Sequence, residues 1–320
     1  MNEKNIIPIF FATDDNYVPF LIISLTSIKE NASSNYIYNI HILHRGLSDS
    51  SIESLNLFNS EDFHIFYNDV KDSLDNLSSK LFVRDYYSKA TYYRIFIPSV
   101  FPQYDKALYL DCDIVVQGDV AELYNTELGD NYVGAVPDEA VSCVPEFIHY
   151  VENFLGIARE KYFNAGILVI NLKALRETNF DKKFLGLIES YKFIVAQDQD
   201  YLNVLCKDKV TYLPKTWNKQ PLQDHNLTIN DLNIIHYNLS FKPWKFDNVL
   251  YEESFWNYTE KAGLTDTIKN IKNAFTPDLQ ENDRIGGANL IAKAELLSKD
   301  ENAFKLLVER KVINLDTLGD

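Results

Sequence analysis

Short apolar, β-branched runs alternate with segments of helical periodicity through the first 135 residues, and this alternation constrains the fold more than any other feature of the chain. Ile6 to Phe11 reads as a buried strand ending at Thr13-Asp14-Asp15-Asn16. Tyr17 to Asn31 then puts Phe20, Leu21, Ser24, Leu25 and Ile28 at helical spacing. Ile37–Leu43 and Phe63–Tyr67 read as further strands, with a helix from Ser48 to Phe58 between them and Ser48 placed to cap it. A helix around Lys89 to Phe96 is predicted to stop before Pro98, which lacks the N–H a helix needs. Lys106 to Leu110 is a fourth strand that runs straight into Asp111-Cys112-Asp113. Such alternation implies right-handed βαβ units and a mostly parallel sheet, hence an α/β class. Ligands of these sheets bind beyond the carboxyl ends of the strands. Both acidic clusters, Asp14-Asp15 and Asp111/Asp113, fall there.

Composition removes several functions. The 46 acidic residues exceed the 31 basic ones, for a net charge of −15 over 320 residues. That field opposes nucleic acid as a bulk partner. Eleven glycines include no Gly-x-Gly pair, so the dinucleotide fingerprint and the P-loop cannot be built. Cys112, Cys143 and Cys206 stand too far apart for a zinc knuckle, and their odd number suits a reducing, cytoplasmic setting. The chain opens with too short an apolar run for a signal peptide, and no window is long and apolar enough for a transmembrane helix.

Further along, Gly166 to Leu172 reads as a strand preceded by Tyr162-Phe163-Asn164-Ala165. A helix is predicted over Phe180 to Val195, and another opens at Gln197-Asp198-Gln199-Asp200 and reaches Leu205. Asn233 to Tyr237 is a short strand leading to Lys242-Pro243-Trp244. From about residue 248 the chain is helical and charged, with breaks expected near Pro277 and at Gly286-Gly287.

Asp111 and Asp113 flank one residue at a strand end, and residues i and i+2 of an extended segment point the same way. Two hard oxygen ligands so placed suit Mg²⁺ or Mn²⁺, ions that commonly bridge to phosphates. The triplet reads equally as a solvated acidic turn, since Asp198 and Asp200 repeat it elsewhere in this acidic chain. Cys112 points away from the carboxylates and reads as a wall or a backbone contact. His236 is a structural histidine or, with Lys242 nearby, part of a grip on a diphosphate. Arg94 is an ordinary helix-face arginine or an anion contact. Asp14 and Asn16 either meet a base and ribose or cap the following helix.

Taken together, Phe11-Ala12-Thr13-Asp14-Asp15-Asn16-Tyr17, Ala90-Thr91-Tyr92-Tyr93-Arg94, Leu108 to Asp113, Phe163-Asn164-Ala165-Gly166, Gln197 to Asp200 and His236-Tyr237 through Lys242-Pro243-Trp244 occur in order. This ordered set resembles glycosyltransferase family 8, the retaining enzymes that include lipopolysaccharide galactosyl- and glucosyltransferases and the glycogenins. The resemblance covers roughly residues 6 to 260. It implies a GT-A fold: a Rossmann-like, mostly parallel sheet flanked by helices, with a catalytic domain over 1–260 and a helical extension over 261–320. It implies a UDP-hexose donor held through Mn²⁺, with Mg²⁺ as the alternative ion, and a saccharide or glycolipid hydroxyl as acceptor. Asp111, Asp113 and His236 match the metal ligands. Ala12, Asp14 and Asn16 match contacts to uracil and ribose, Cys112 lies among the donor contacts, and Lys242 matches a diphosphate contact. Arg94, Asn164, Ala165 and Asp198 match groups lining the donor sugar. Asp138 falls where the family has an acidic residue near acceptor and donor sugar, and Gln199 matches the position below the anomeric carbon. An amide is a poor nucleophile, so Gln199 favours same-face substitution, with Asp198 as the fallback nucleophile.

One departure is Leu239, where the family loop often carries glycine to let a backbone amide reach the diphosphate. The family's lipid-directed members imply a cytoplasmic protein peripheral at the inner membrane face. Here the tail from Asp300 is mixed in charge, and residues 265–320 read instead as an appendage for self-association or acceptor presentation. Two other classes were open to the same residues: a sugar-nucleotide nucleotidyltransferase, which the acidic first loop opposes, and a non-catalytic glycan-binding module.

Overall fold

The structure is a computed structural model and describes residues 4–71, 92–238, 240 and 242–319. Lys89, Ala90, Thr91 and Leu239, on which parts of the reading above rest, lie outside the described residues. By internal packing the chain divides into two units. One comprises Met1–Lys71, Leu108–Thr126 and Pro214–Gly286; the other comprises Asp72–Ala107, Glu127–Leu213 and Gly287–Asp320.

In the first unit, β1 (Asn5–Ala12), β2 (Tyr36–His44), β3 (Phe63–Asp69) and β4 (Lys106–Leu110) run parallel in the order β3-β2-β1-β4. Helices α1 (Val18–Asn31) and α2 (Asp49–Asn56) make the crossovers, and Ser48 caps α2 by accepting the Ser51 N–H. The strands are apolar on both faces, as a parallel sheet requires: Ile7, Ile9, Phe10, Phe11, Ile40 and Ile42 are fully buried. Stacked rings tie three strands together, with His41 between Phe10 and Phe66 at centroid distances of 4.7 and 4.9 Å. Past β4 the chain makes a short strand, β5 (Ile114–Val116).

The second unit contains α3 (Tyr93–Val100), β6 (Val133–Pro137), α4 (Glu139–Cys143), β7 (Phe163–Asn171), α5 (Phe180–Ser190), α6 (Asp198–Leu205) and β8 (Val210–Tyr212). Here β6 pairs antiparallel with β7 and parallel with β8. Returning to the first unit, β9 (Ile234–His236) pairs antiparallel with β5, with Ile114 opposite His236. The chain ends in α7 (Glu252–Lys261), α8 (Thr265–Ala274), α9 (Pro277–Leu297) and α10 (Phe304–Glu309).

Four element boundaries differ from the sequence reading. Pro98 lies inside α3 rather than after it; residues Tyr93 to Pro98 are all buried, and that packing tolerates the missing bond to the Arg94 carbonyl. Strand β7 begins at Phe163, because Phe163 already pairs with Pro137. Helix α5 ends at Ser190, where Tyr191 turns extended. Pro277 starts α9 as expected, but Gly286-Gly287 do not break it. A glycine weakens a helix without forbidding it.

A Cβ added at Gly286 or Gly287 meets nothing within 4 Å. Replacing either by alanine is therefore expected to raise stability by about 0.5 to 1 kcal/mol, chiefly by restricting the unfolded chain. Urea unfolding of each variant checks this, and a lower midpoint would rule it out.

Candidate active site

The residues singled out from the sequence come together in two clusters, one in each unit. In the first unit, β4 and β5 deliver Asp111 and Asp113 at the carboxyl end of the sheet, and β9 delivers His236. Helix α1 fixes the connection through two serines one turn apart. The Ser24 hydroxyl lies 2.6 Å from the Cys112 carbonyl and 2.8 Å from that of Ile114, the two that bracket Asp113. Ser27 accepts the Val116 N–H at 2.9 Å. Across the ladder, Tyr237 donates its N–H to the Asp113 carbonyl at 2.9 Å.

One ligand atom from each of Asp111, Asp113 and His236 lies within 4.8 Å of the others. His236 Nε2 is 3.3 Å from Asp113 Oδ1 and 3.7 Å from Asp111 Oδ2. His236 Nδ1 is 2.9 Å from Asn218 Oδ1, an acceptor. With the proton on Nδ1, Nε2 offers a lone pair toward two carboxylates. Three lone-pair donors aimed at one point repel unless a cation lies among them, and two carboxylates with one imidazole suit a divalent ion.

Lys242 stands in part for that charge. Its ammonium bonds Asp113 Oδ2, donates to the Tyr237 carbonyl at 2.7 Å, and sits 5.2 Å from the centre of the Trp244 ring. Burial works against the charge of Asp113, but the Lys242 ammonium beside it favours the carboxylate, and its carboxyl is held below the usual range. The Cys112 thiol donates to the Ala12 carbonyl at 3.3 Å, and burial pushes its pKa well up, which disfavours the thiolate a metal would need.

In the first acidic cluster neither Asp14 nor Asn16 caps α1, whose N-cap position is Tyr17 with no side-chain cap; Asp14 instead closes the turn ahead of it. Asp14 Oδ1 accepts the N–H groups of Asn16 and Tyr17 at 3.0 and 3.2 Å, at the entrance of α1. Asp15 Oδ1 takes the Ser48 N–H at 3.0 Å and the Ser51 hydroxyl at 2.6 Å, which lowers its pKa. Asp14 and Asn16 remain exposed and Ala12 half-buried.

In the second unit, Asp138 follows β6, caps α4 through the Val141 N–H, and is buried. Its Oδ2 accepts from Asn164 Nδ2 and from Gln199 Nε2, each at 3.0 Å. Gln199 Oε1 in turn accepts the Ala165 N–H at 3.0 Å, so both ends of the amide are committed. Arg94 donates to the Ala165 carbonyl, and its Nε lies 3.1 Å from Asp198 Oδ2, with both side chains under one-tenth exposed. Gln197, just before α6, has φ of 46°, a strained value for a side-chain-bearing residue.

Three further residues carry the site without having been read from the sequence. Asn203 is one turn past Gln199; it accepts the Phe163 N–H at 2.8 Å and donates to the carbonyls of Phe163 and Gln199. The i,i+4 pairing of Gln199 and Asn203 on an otherwise apolar face was a usable signal. Asp200 is fully buried and accepts from Tyr162, Tyr150 and the Ala196 N–H. Asn218 has no periodicity to betray it.

The comparisons follow this geometry. The family model described as Glycosyl transferase family 8 matches residues 8–248. The chain belongs to glycosyl transferase family 8. A putative glycosyltransferase of Haemophilus influenzae is 30% identical over 67% of the chain, which spans 63% of that protein's length. The lipopolysaccharide 1,2-glucosyltransferase of Escherichia coli K12 is 26% identical over 80% of each chain. Among solved structures, galactosyltransferase LgtC, in complex with donor and acceptor sugar analogues, superimposes with a TM-score of 0.66 at 28% identity, over 80% of this chain and 95% of its own. The bifunctional glycosyltransferase WbbM gives 0.72 at 26% identity over 85% of this chain and 52% of its own. This family 8 member thus has the α/β, GT-A architecture of its relatives, and no helix among its described residues is long and apolar enough to cross a membrane.

Asp200 gives a pH signature. Burial first, then the charge of Asp198, push its carboxyl up to about 6 against three hydrogen-bond donors. A proton held more tightly in the folded state stabilises the fold at low pH. That contribution is complete below the unfolded value of about 4 and is lost as pH rises to about 6. Asp200→Asn keeps an acceptor but cannot titrate. Across that window the unfolding free energy of wild type, less that of the variant, is expected to fall by about 2 to 3 kcal/mol. Urea titrations at stepped pH measure it; a flat or rising difference sinks the assignment.

Proposed function

We propose that this family 8 member is a metal-dependent retaining hexosyltransferase that moves a glucose or galactose unit from a UDP-sugar to a saccharide or glycolipid hydroxyl. The observation that carries the reading is the convergence of Asp111, Asp113 and His236, with Lys242 beside Asp113. Relatives named as lipopolysaccharide glucosyl- and galactosyltransferases support the acceptor class. In this reading residues 1–260 form the catalytic domain and 261–320 an extension for self-association, acceptor presentation or contact with the inner membrane face.

Asp111, Asp113 and His236 would hold the ion, Mn²⁺ in preference to Mg²⁺. A bound divalent cation would supply positive charge beside the diphosphate as it leaves. Lys242 would exchange Asp113 for a diphosphate oxygen, its buried stem keeping the ammonium in place. Ala12, Asp14 and Asn16 would meet uracil and ribose, Asp14 through the face its turn leaves exposed, with Cys112 as a wall.

On the hexose side, Arg94 with Asp198, and Asn164 with Ala165, would bind sugar hydroxyls. Asp138 would face both sugars. Gln199 would lie under the anomeric carbon; its amide is too weak a nucleophile for a covalent intermediate, and its bonds to Ala165 and Asp138 hold it rigid. Asp198, the remaining carboxylate, is paired with Arg94, which weakens it as a nucleophile. Same-face substitution follows: the bond from the anomeric carbon to the diphosphate breaks, the bond to the acceptor oxygen forms on that face, and a diphosphate oxygen takes the acceptor's proton.

The test is UDP release from a panel of UDP-hexoses with Mn²⁺, run on wild type and on Asp113→Ala. Wild type is expected to release UDP from at least one donor and the variant to fall by more than about 100-fold. A folded wild type that neither binds nor turns over any UDP-hexose in Mn²⁺ would falsify the proposal.

A further inference from the structure

We propose that Asn218 is the positioning residue of the metal centre: its side-chain oxygen takes the Nδ1 proton of His236 and so commits Nε2 to the cation. The inference rests on the metal reading of Asp111, Asp113 and His236 given above. Imidazole has two nitrogens, and in its neutral form only one carries a proton. Asn218 Oδ1 lies 2.9 Å from Nδ1 and can only accept, so the proton belongs on Nδ1. The other tautomer would set the Nδ1 lone pair against the lone pairs of Oδ1. Both side chains are almost wholly buried, Asn218 at 1% and His236 at 2% exposure, so water cannot readily replace the bond. Committing the proton also fixes the ring plane, which decides whether Nε2 faces the carboxylates 3.3 and 3.7 Å away.

The backbone holds acceptor and ligand on one scaffold. The Asn218 N–H closes a turn onto the Lys215 carbonyl at 3.1 Å. The next residue runs parallel to β9: Lys219 donates its N–H to the Ile234 carbonyl, and its own carbonyl accepts the His236 N–H, each at 2.9 Å. Asn218 therefore cannot drift from His236 without breaking the ladder that carries the ligand itself. A neutral amide does this without adding a third negative charge beside Asp111 and Asp113.

The test titrates the full chain with Mn²⁺ alone, reading binding by calorimetry and by the electron paramagnetic resonance of free Mn²⁺. Asn218→Leu keeps the volume and loses the acceptor, and is expected to weaken Mn²⁺ binding about 10- to 100-fold. Asn218→Asp restores an oxygen acceptor while losing the amide donors, and is expected to bind within about 3-fold of wild type, a rescue that a packing role would not produce. Should Asn218→Leu fail to fold, Asn218→Ser, too short to reach Nδ1, takes its place. Wild-type affinity in the acceptor-less variant overturns the proposal while leaving the metal reading intact. Equal losses in the Leu and Asp variants overturn it as well, by assigning the effect to the amide donors. A wild type that binds no Mn²⁺ overturns instead the metal reading beneath it.

Discussion

Three lone-pair donors pointed at one small volume are the constraint around which the first unit is built. Asp111 and Asp113 cannot be separated from it by relaxation, because the peptide between them is pinned. Ser24 spans the carbonyls of Cys112 and Ile114, and Tyr237 bonds the Asp113 carbonyl from the opposite strand. The antiparallel pair β5–β9 sets Ile114 opposite His236, which leaves the imidazole no register but the one facing the acids. Like charges held this way, only partly exposed, raise the energy of the fold unless something positive is present. Lys242 provides one such charge beside Asp113, its ammonium over the ring of Trp244, itself stacked on Phe20 of α1 at 4.0 Å.

That arrangement resolves the conflict between an acidic chain and the anionic donor proposed for it. A net charge of −15 repels a nucleotide at long range, yet screening confines that field to about a Debye length, roughly 8 Å in physiological salt. Within the first cluster the sign is set locally, by Lys242 and any ion the carboxylates would gather. The acids are thus part of what makes a positive site possible, since carboxylate oxygens can replace part of the hydration shell of a divalent cation.

Much of this was legible before any coordinates. The parallel sheet followed from strands alternating with helical segments, and the acidic triplet was legible because it follows directly on the apolar strand that ends at Leu110. Local signals failed where packing overrode propensity. Pro98 stays within a helix because its neighbours are buried, and Gly286-Gly287 stay helical because an uninterrupted backbone can tolerate them. Asn218 and Lys219 were illegible for another reason: their roles come from a partner strand about 15 residues away, and neither a period of two nor one of 3.6 marks them. Asn203 sat between these cases, polar on a buried helical face and one turn from Gln199.

The second unit makes a complementary point about preorganisation. Gln199, Asp138, Asn164 and Ala165 form a closed hydrogen-bonded circuit before any sugar is present, and Asn203 ties Gln199 and Phe163 to the same helix. A group whose hydrogen bonds are already satisfied by protein partners does not reorganise when charge develops nearby, which is what electrostatic stabilisation of an oxocarbenium-like centre demands. The same circuit disqualifies Gln199 from covalent chemistry, because attack would require it to abandon two bonds as well as overcome the poor nucleophilicity of an amide. Geometry and reactivity therefore favour the proposed mechanism, in which the second cluster would hold a sugar still and bond exchange would be left to the donor's own phosphate and the acceptor hydroxyl.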